Sequence, residues 1–114
     1  MQYNAGDLLD KCTILEIKSS KGLNVLDEFM KVKFEVYNDY LEKDEAFKTI
    51  YMALMRVNRE QYELEDKIRV ADRLEEVGRI ALDIRIHNDE RVFLKNEINK
   101  LAGDNAEVKL YKRI

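Results

Sequence analysis

The chain contains no proline in 114 residues and only 4 glycines. Proline is the residue that most strongly breaks helices and fixes loops, and its average usage is about 5%. A chain that leaves it out is driven toward long elements joined by short turns. The length suits one domain, residues 1–114, with a single modest core.

Apolar periodicity assigns those elements. GDLLDKCTILEIK, residues 6–18, breaks strand alternation at Leu8-Leu9 and Ile14-Leu15 and reads as a helix from Gly6 or Asp7 to Lys21, closed by Gly22 as a left-handed cap. A second helix follows from Asn24 through Lys43, although MKVKFEVY in its middle alternates as an exposed strand would. Asp44 can cap a long third helix with the seam Phe47, Ile50, Leu54, Val57, Gln61, Leu64, Ile68, Ala71. ADRLEEVG, residues 71–78, interrupts or bends it, with Asp72 able to cap and Gly78 weakening the following turn. A fourth helix carries Val77, Ile80, Ile84, His87, Arg91, Leu94, Ile98 and Leu101 and stops at Lys100 and Gly103. AEVKLYKRI, at the end, reads as a short strand or an arm. The expected fold is all-α: an antiparallel helical hairpin or bundle of about four helices with a long central one.

Helix 1 has two apolar sides. Leu8, Cys12 and Leu15 share one, while Ile14 and Ile17 fall nearly opposite, among Asp10, Lys11 and Lys18. Burying both isoleucines is worth roughly 3–6 kcal/mol, so the helix is expected to be sandwiched. Its own chain covers one side, and a second subunit or the bent fourth helix covers the other. A homodimer of antiparallel hairpins is the leading architecture.

A formal charge of −3 offers no general field for nucleic acid, and the small basic tail of Lys109, Tyr111, Lys112 and Arg113 is expected to be solvated. The single cysteine, Cys12, cannot form an internal disulfide and reads as a core residue in a reducing compartment. MQYNAGDLLDK lacks the basic start and apolar run of a signal peptide, and the longest apolar run, residues 50–55, is too short to span a membrane. A cytoplasmic protein away from membranes is expected.

Polar residues interrupt the seams of the last two helices. Asn58, Gln61, Glu65 and Arg69 recur at helical spacing with Asp66 alongside, and His87, Asn88 and Arg91 do the same with Asp89. Charges against apolar surface are costly unless paired, so they are expected to pair across the helices, Glu65 or Asp66 with Arg91 and Arg69 with Asp89 or Asn88. Such a network either fixes helix register or forms a polar pocket for an anionic or sugar-like ligand. His87 has no companion at zinc-ligand spacing and reads as a hydrogen-bonded, half-buried histidine. One acidic pattern bears on metal: Glu42-x-x-Glu45 followed by Glu63-x-x-Asp66 is similar to the helical motif with which MazG-like nucleotide pyrophosphohydrolases hold Mg²⁺. Otherwise no cofactor is expected.

Three segments, GDLLDKCTILEIK, VNREQYELEDKIR and HNDERVFLKNEINKLAG, together resemble an uncharacterised family of short bacterial and phage proteins. Asp10, Lys11, Thr13, Asn58, Glu65, Asp66, Arg69, Asn88, Asp89, Arg91, Lys95 and Asn99 stand at the family's matching positions. Val92 replaces the family's alanine, Ile86-His87 replaces its valine-tyrosine, and Glu42 and Glu45 are not among its positions. The resemblance brings no activity with it. The chain lacks a complete catalytic set, and the leading expectation is a non-enzymatic helical oligomerisation or adaptor protein with a possible protein partner. The alternative is a small ligand-binding module or enzyme, of which an Mg²⁺-dependent pyrophosphohydrolase is one form.

Overall fold

Asn4 starts the first helix by accepting a hydrogen bond from the Asp7 amide through its side chain. A computed structural model of the chain describes residues 3–104 and shows four α-helices: α1 (Ala5–Ser20), α2 (Leu26–Val36), α3 (Glu45–Val70) and α4 (Leu74–Ala102). The all-α expectation is met. The AEVKLYKRI segment, expected as a strand or arm, lies outside the described residues.

Both glycine stops work as expected. After α1 the Gly22 amide bonds Ser19 O, the Leu23 amide bonds Lys18 O, and Gly22 sits at φ +83°. After α4 the Asp104 amide bonds Asn99 O with Gly103 at φ +79°. In both places the paired bonds satisfy carbonyls that a helix end otherwise leaves open. Asp44 caps α3 through the Ala46 amide. The interruption expected near residue 71 is a three-residue turn in which Ala71 is extended. Asp72 does not hold the cap position; Arg73 does, with no side-chain bond. Gly78 lies inside α4.

The second helix is shorter than expected. It gives way at Tyr37 to a π-helical turn, Tyr37–Leu41, with the Glu42 amide bonding Tyr37 O at 2.9 Å. The wider turn sets the Tyr40 ring edge-on to Phe47, centroids 5.3 Å apart. The alternation in MKVKFEVY has a physical reason: α2 carries two apolar faces. Phe29, Val32 and Val36 pack on the core, whereas Leu26, Met30 and Phe34 face out.

At the centre stands α1, against which α2, α3 and α4 all pack. Leu9, Cys12 and Ala5 are fully buried with Leu54 and Ile98, and each large core side chain contributes on the order of 2 kcal/mol. Ile17 is only 1% exposed and Ile14 is half-buried. The second side of α1 is therefore covered within the chain, the fourth helix being one of its neighbours, and Ile17 does not call for a second subunit. Among the described residues the α3–α4 hairpin extends past α1, since α1 spans ~24 Å and α4 ~44 Å along their axes.

Candidate functional site: a polar seam between helices 1, 3 and 4

The second side of α1 carries Gly6, Asp10 and Thr13 beside Ile17, and it faces Arg91 of α4 and Asn58 of α3. Arg91 donates from Nε to Oδ1 of Asp10 at 2.9 Å and from Nη2 to Oδ2 at 2.5 Å. Asn58, 2% exposed, donates from Nδ2 to Oδ1 of Asp10 at 2.9 Å and to Oγ1 of Thr13 at 2.7 Å. The Thr13 hydroxyl in turn donates to the backbone carbonyl of Asp10. A carboxylate removed from water is tolerated here because three donors meet its two oxygens. The hydrogen bonds from Arg91 to Asp10 push the guanidinium above its already high range.

A second cluster ties the start of α1 to the end of α4. The Gly6 amide donates to Oδ1 of Asn99 at 2.7 Å, the Ala5 amide to Oδ2 of Asp104 at 2.7 Å, and Lys95 pairs with Asp7 at 2.9 Å. Amides that open a helix have no partner within it, so Asn99 of α4 and Asp104, two residues beyond its end, supply two of them with acceptors. The approach is close enough to need glycine: a Cβ on Gly6 would lie 2.5 Å from Lys95 O and 2.8 Å from Nδ2 of Asn99.

Charges do pair across the helices, but with partners other than those the spacing predicts. Arg91 takes Asp10 instead of Glu65 or Asp66. Glu65 only lines a cavity of about 140 Å³ with Ile14, Asn58, Gln61, Tyr62 and Arg91, and Oε1 of Gln61 is buried there with no hydrogen bond among the described residues. Arg69 does not reach Asp89 or Asn88; it pairs with Asp66 one turn away on the exposed side of α3. Asn88 and Asp89 are exposed and stand outside the network. Of the expected set, then, the seam brings together Asn58 and Arg91, with Glu65 at its edge. Seam periodicity misses Asp10, Thr13, Gly6 and Asn99, because one acid next to Lys11 reads as a solvated face. The available signal is the resemblance, whose matching positions include Asp10, Thr13, Lys95 and Asn99.

His87 bridges as expected: Nδ1 lies 2.9 Å from Asp83 O and Nε2 2.9 Å from Glu60. Bonding to the Asp83 carbonyl, followed by Glu60, raises its pKa above the ordinary 6.5. Cys12 is fully buried, its thiol pushed up by burial, with the Tyr51 hydroxyl 3.3 Å away and itself pushed far up by burial. A thiol held protonated in the core has no route to act as a nucleophile.

The four acids of the magnesium pattern do not converge. Glu45 and Glu63 both ride α3, eighteen residues and so ~27 Å apart along its axis. Glu42 and Glu45 open onto a surface groove that also holds Lys33 and Lys48, which compete with a cation for those carboxylates. Among the described residues no group of three or more potential ligands forms, and no helix is long and apolar enough to cross a membrane. No protein-family model, curated protein or solved structure matches this chain.

Proposed function

We propose that the chain is a non-enzymatic helical oligomerisation and adaptor module. The rigid part is α1, locked by the Asp10, Asn58, Arg91 seam, and the working surface is the outer face of α2. One observation carries this reading. Leu26, Met30, Phe34 and Tyr37 are 56%, 59%, 72% and 52% exposed at helical spacing, an apolar stripe of a kind that monomeric surfaces rarely keep. The seam itself spends its polar groups on one another, so its role in this reading is to set helix register. A reducing, cytoplasmic setting is consistent with the buried free thiol of Cys12. The resemblance to the uncharacterised bacterial and phage family fits the same reading, since Asp10, Thr13, Asn58, Arg91, Lys95 and Asn99 all join α1 to its neighbours.

Sedimentation of the protein at micromolar concentration tests this. A mass of at least twice the 13.5 kDa of one chain is expected, falling to one chain in Phe34→Glu with helix content unchanged. A wild-type monomer would overturn the oligomer.

A second reading rests on the Gln61 oxygen. Its missing partner, in a cavity shared with Glu65 and Arg91, supports a module for a small donor-rich ligand. A thermal-shift screen with nucleotides, sugar nucleotides and divalent ions separates the two, because stabilisation lost in Gln61→Leu assigns a ligand to this cavity. The Mg²⁺-dependent pyrophosphohydrolase would further require stabilisation that depends on Mg²⁺.

A further inference from the structure

We propose that the occupant of the α2 stripe is a second copy of this chain, lying antiparallel across it about a two-fold axis at Met30. This rests on the oligomer reading above and gives it a register. On α2 the stripe is symmetric about Met30, with Leu26 and Phe34 each four residues from it; Leu23, in the turn before the helix, and Tyr37, in the π-helical turn after it, flank the two ends. All five are between 51% and 72% exposed. An isologous contact needs a patch that is its own complement. Turned about Met30, the stripe sets Leu26 against the partner's Phe34 and Met30 against its own copy.

Charge agrees with this placement. Asp27 and Lys31 are exposed and lie one turn apart along the same border of the stripe. The two-fold keeps that border against itself in the reversed direction, so Asp27 comes beside the partner's Lys31, and the pair occurs twice. Opposite charges flanking an apolar seam are what specify orientation in paired helices. Five side chains more than half exposed leave on the order of 500 Å² of apolar surface per copy, about 1,000 Å² for the pair, the lower bound of a specific interface.

The other exposed apolar stripe, Leu82, Ile86 and Phe93 on α4, is interrupted by the exposed Asp89. Self-association there would place Asp89 inside the apolar seam instead of at its border, where removing a carboxylate from water is costly even with the exposed Arg85 one turn away.

Cysteine cross-linking tests the register in the full chain. Met30→Cys, Leu26→Cys and Phe34→Cys all lie on the surface, and the wild type, with only the buried Cys12, is the control. Under mild oxidation Met30→Cys is expected to link to itself, because a residue on the axis meets its copy at disulfide distance. Leu26→Cys and Phe34→Cys are expected to link to each other when mixed and not to themselves. A wild-type dimer by sedimentation in which Met30→Cys stays unlinked overturns this register and leaves the oligomer reading intact. Self-linking of Phe34→Cys and Leu26→Cys would show a parallel contact and also overturn it. A wild-type monomer overturns both readings. Far-UV circular dichroism of each variant, and loss of the dimer in Phe34→Glu, guard against a result caused by misfolding.

Discussion

Arg91 and Asp10, separated by 81 positions in the chain, form a two-pronged ion pair across the interface of α4 and α1. The two partners are unequally placed, with 28% of the Arg91 side chain exposed against 8% of Asp10. Removing one partner of a buried pair costs about 3–5 kcal/mol because the other is stranded. Arg91→Met leaves a carboxylate shielded from water with Asn58 as its remaining side-chain donor, so a loss at the lower end of that range, about 3 kcal/mol, is expected. Asp10→Ala leaves a guanidinium that can turn outward, and about 1–3 kcal/mol is expected. Urea unfolding of the two variants measures the difference, and equal losses would show that the exposure of Arg91 gives it no escape.

Gly6 and Gly78 are both helical and should respond oppositely to alanine. At Gly6 the added methyl meets the backbone of Lys95, so α1 and α4 must separate and weaken the bond to Asn99. Gly6→Ala is expected to lose about 2 kcal/mol or more, of the order of overpacking strain. At Gly78 a methyl group would project into open space, with no neighbouring atom within 4 Å, and alanine removes the cost of glycine in a helix interior. Gly78→Ala is expected to gain about 0.5–1 kcal/mol. Thermal melts of the pair check both signs.

Much of this fold is legible in residues that punctuate it. Gly22, Asp44 and Gly103 act through local backbone chemistry, which a sequence displays directly. The seam of α3 is legible for the same reason, since Phe47, Leu54 and Val57 repeat at the spacing their burial demands. Asp10 is not, because whether an acid on a helix faces water or an arginine depends on a helix eighty residues away. Its neighbours Gly6, Thr13 and Ile17 share its face and are small or apolar, which is the local trace of that burial. The two faces of α2 are hidden differently: their overlap makes a helix look like an alternating strand, and the π-helical turn at Tyr37 has no proline or glycine to announce it.

His87 gives the molecule a pH-dependent contact. As a cation it can donate both to the Asp83 carbonyl and to Glu60, whereas the neutral ring can donate only one proton. Its folded pKa is raised above 6.5, so the stabilisation is complete below that value and is lost as pH rises through the folded pKa. The melting temperature is therefore expected to fall as pH rises above 6.5 and passes through the raised folded pKa, and the fall should shrink in His87→Gln. A wild-type and variant difference that stays constant across this range would show that protonation of His87 is not linked to folding.

The far end of the α3–α4 hairpin is expected to open before the rest. Near α1, each helix of the hairpin is held from a third direction, and Leu54, Val57, Asn58, Ile98 and Asn99 are buried. Past Tyr62, over whose ring Lys21 sits just beyond α1, and Glu65, which shares a cavity with Ile14, the two helices pack mainly on each other among the described residues. Leu64 and Ile68 are half-buried, Val70 and Leu74 are 82% and 88% exposed, and a cavity of about 320 Å³ opens between Leu64, Val70 and Ile80. Local stability follows buried apolar contact, so amides of residues 64–84 should exchange with deuterium faster than those of 50–58 and 91–99. Gly78→Ala should slow exchange in the first group and leave the second unchanged. Uniform protection along α3 would show instead that the hairpin tip is held by something other than its own two helices.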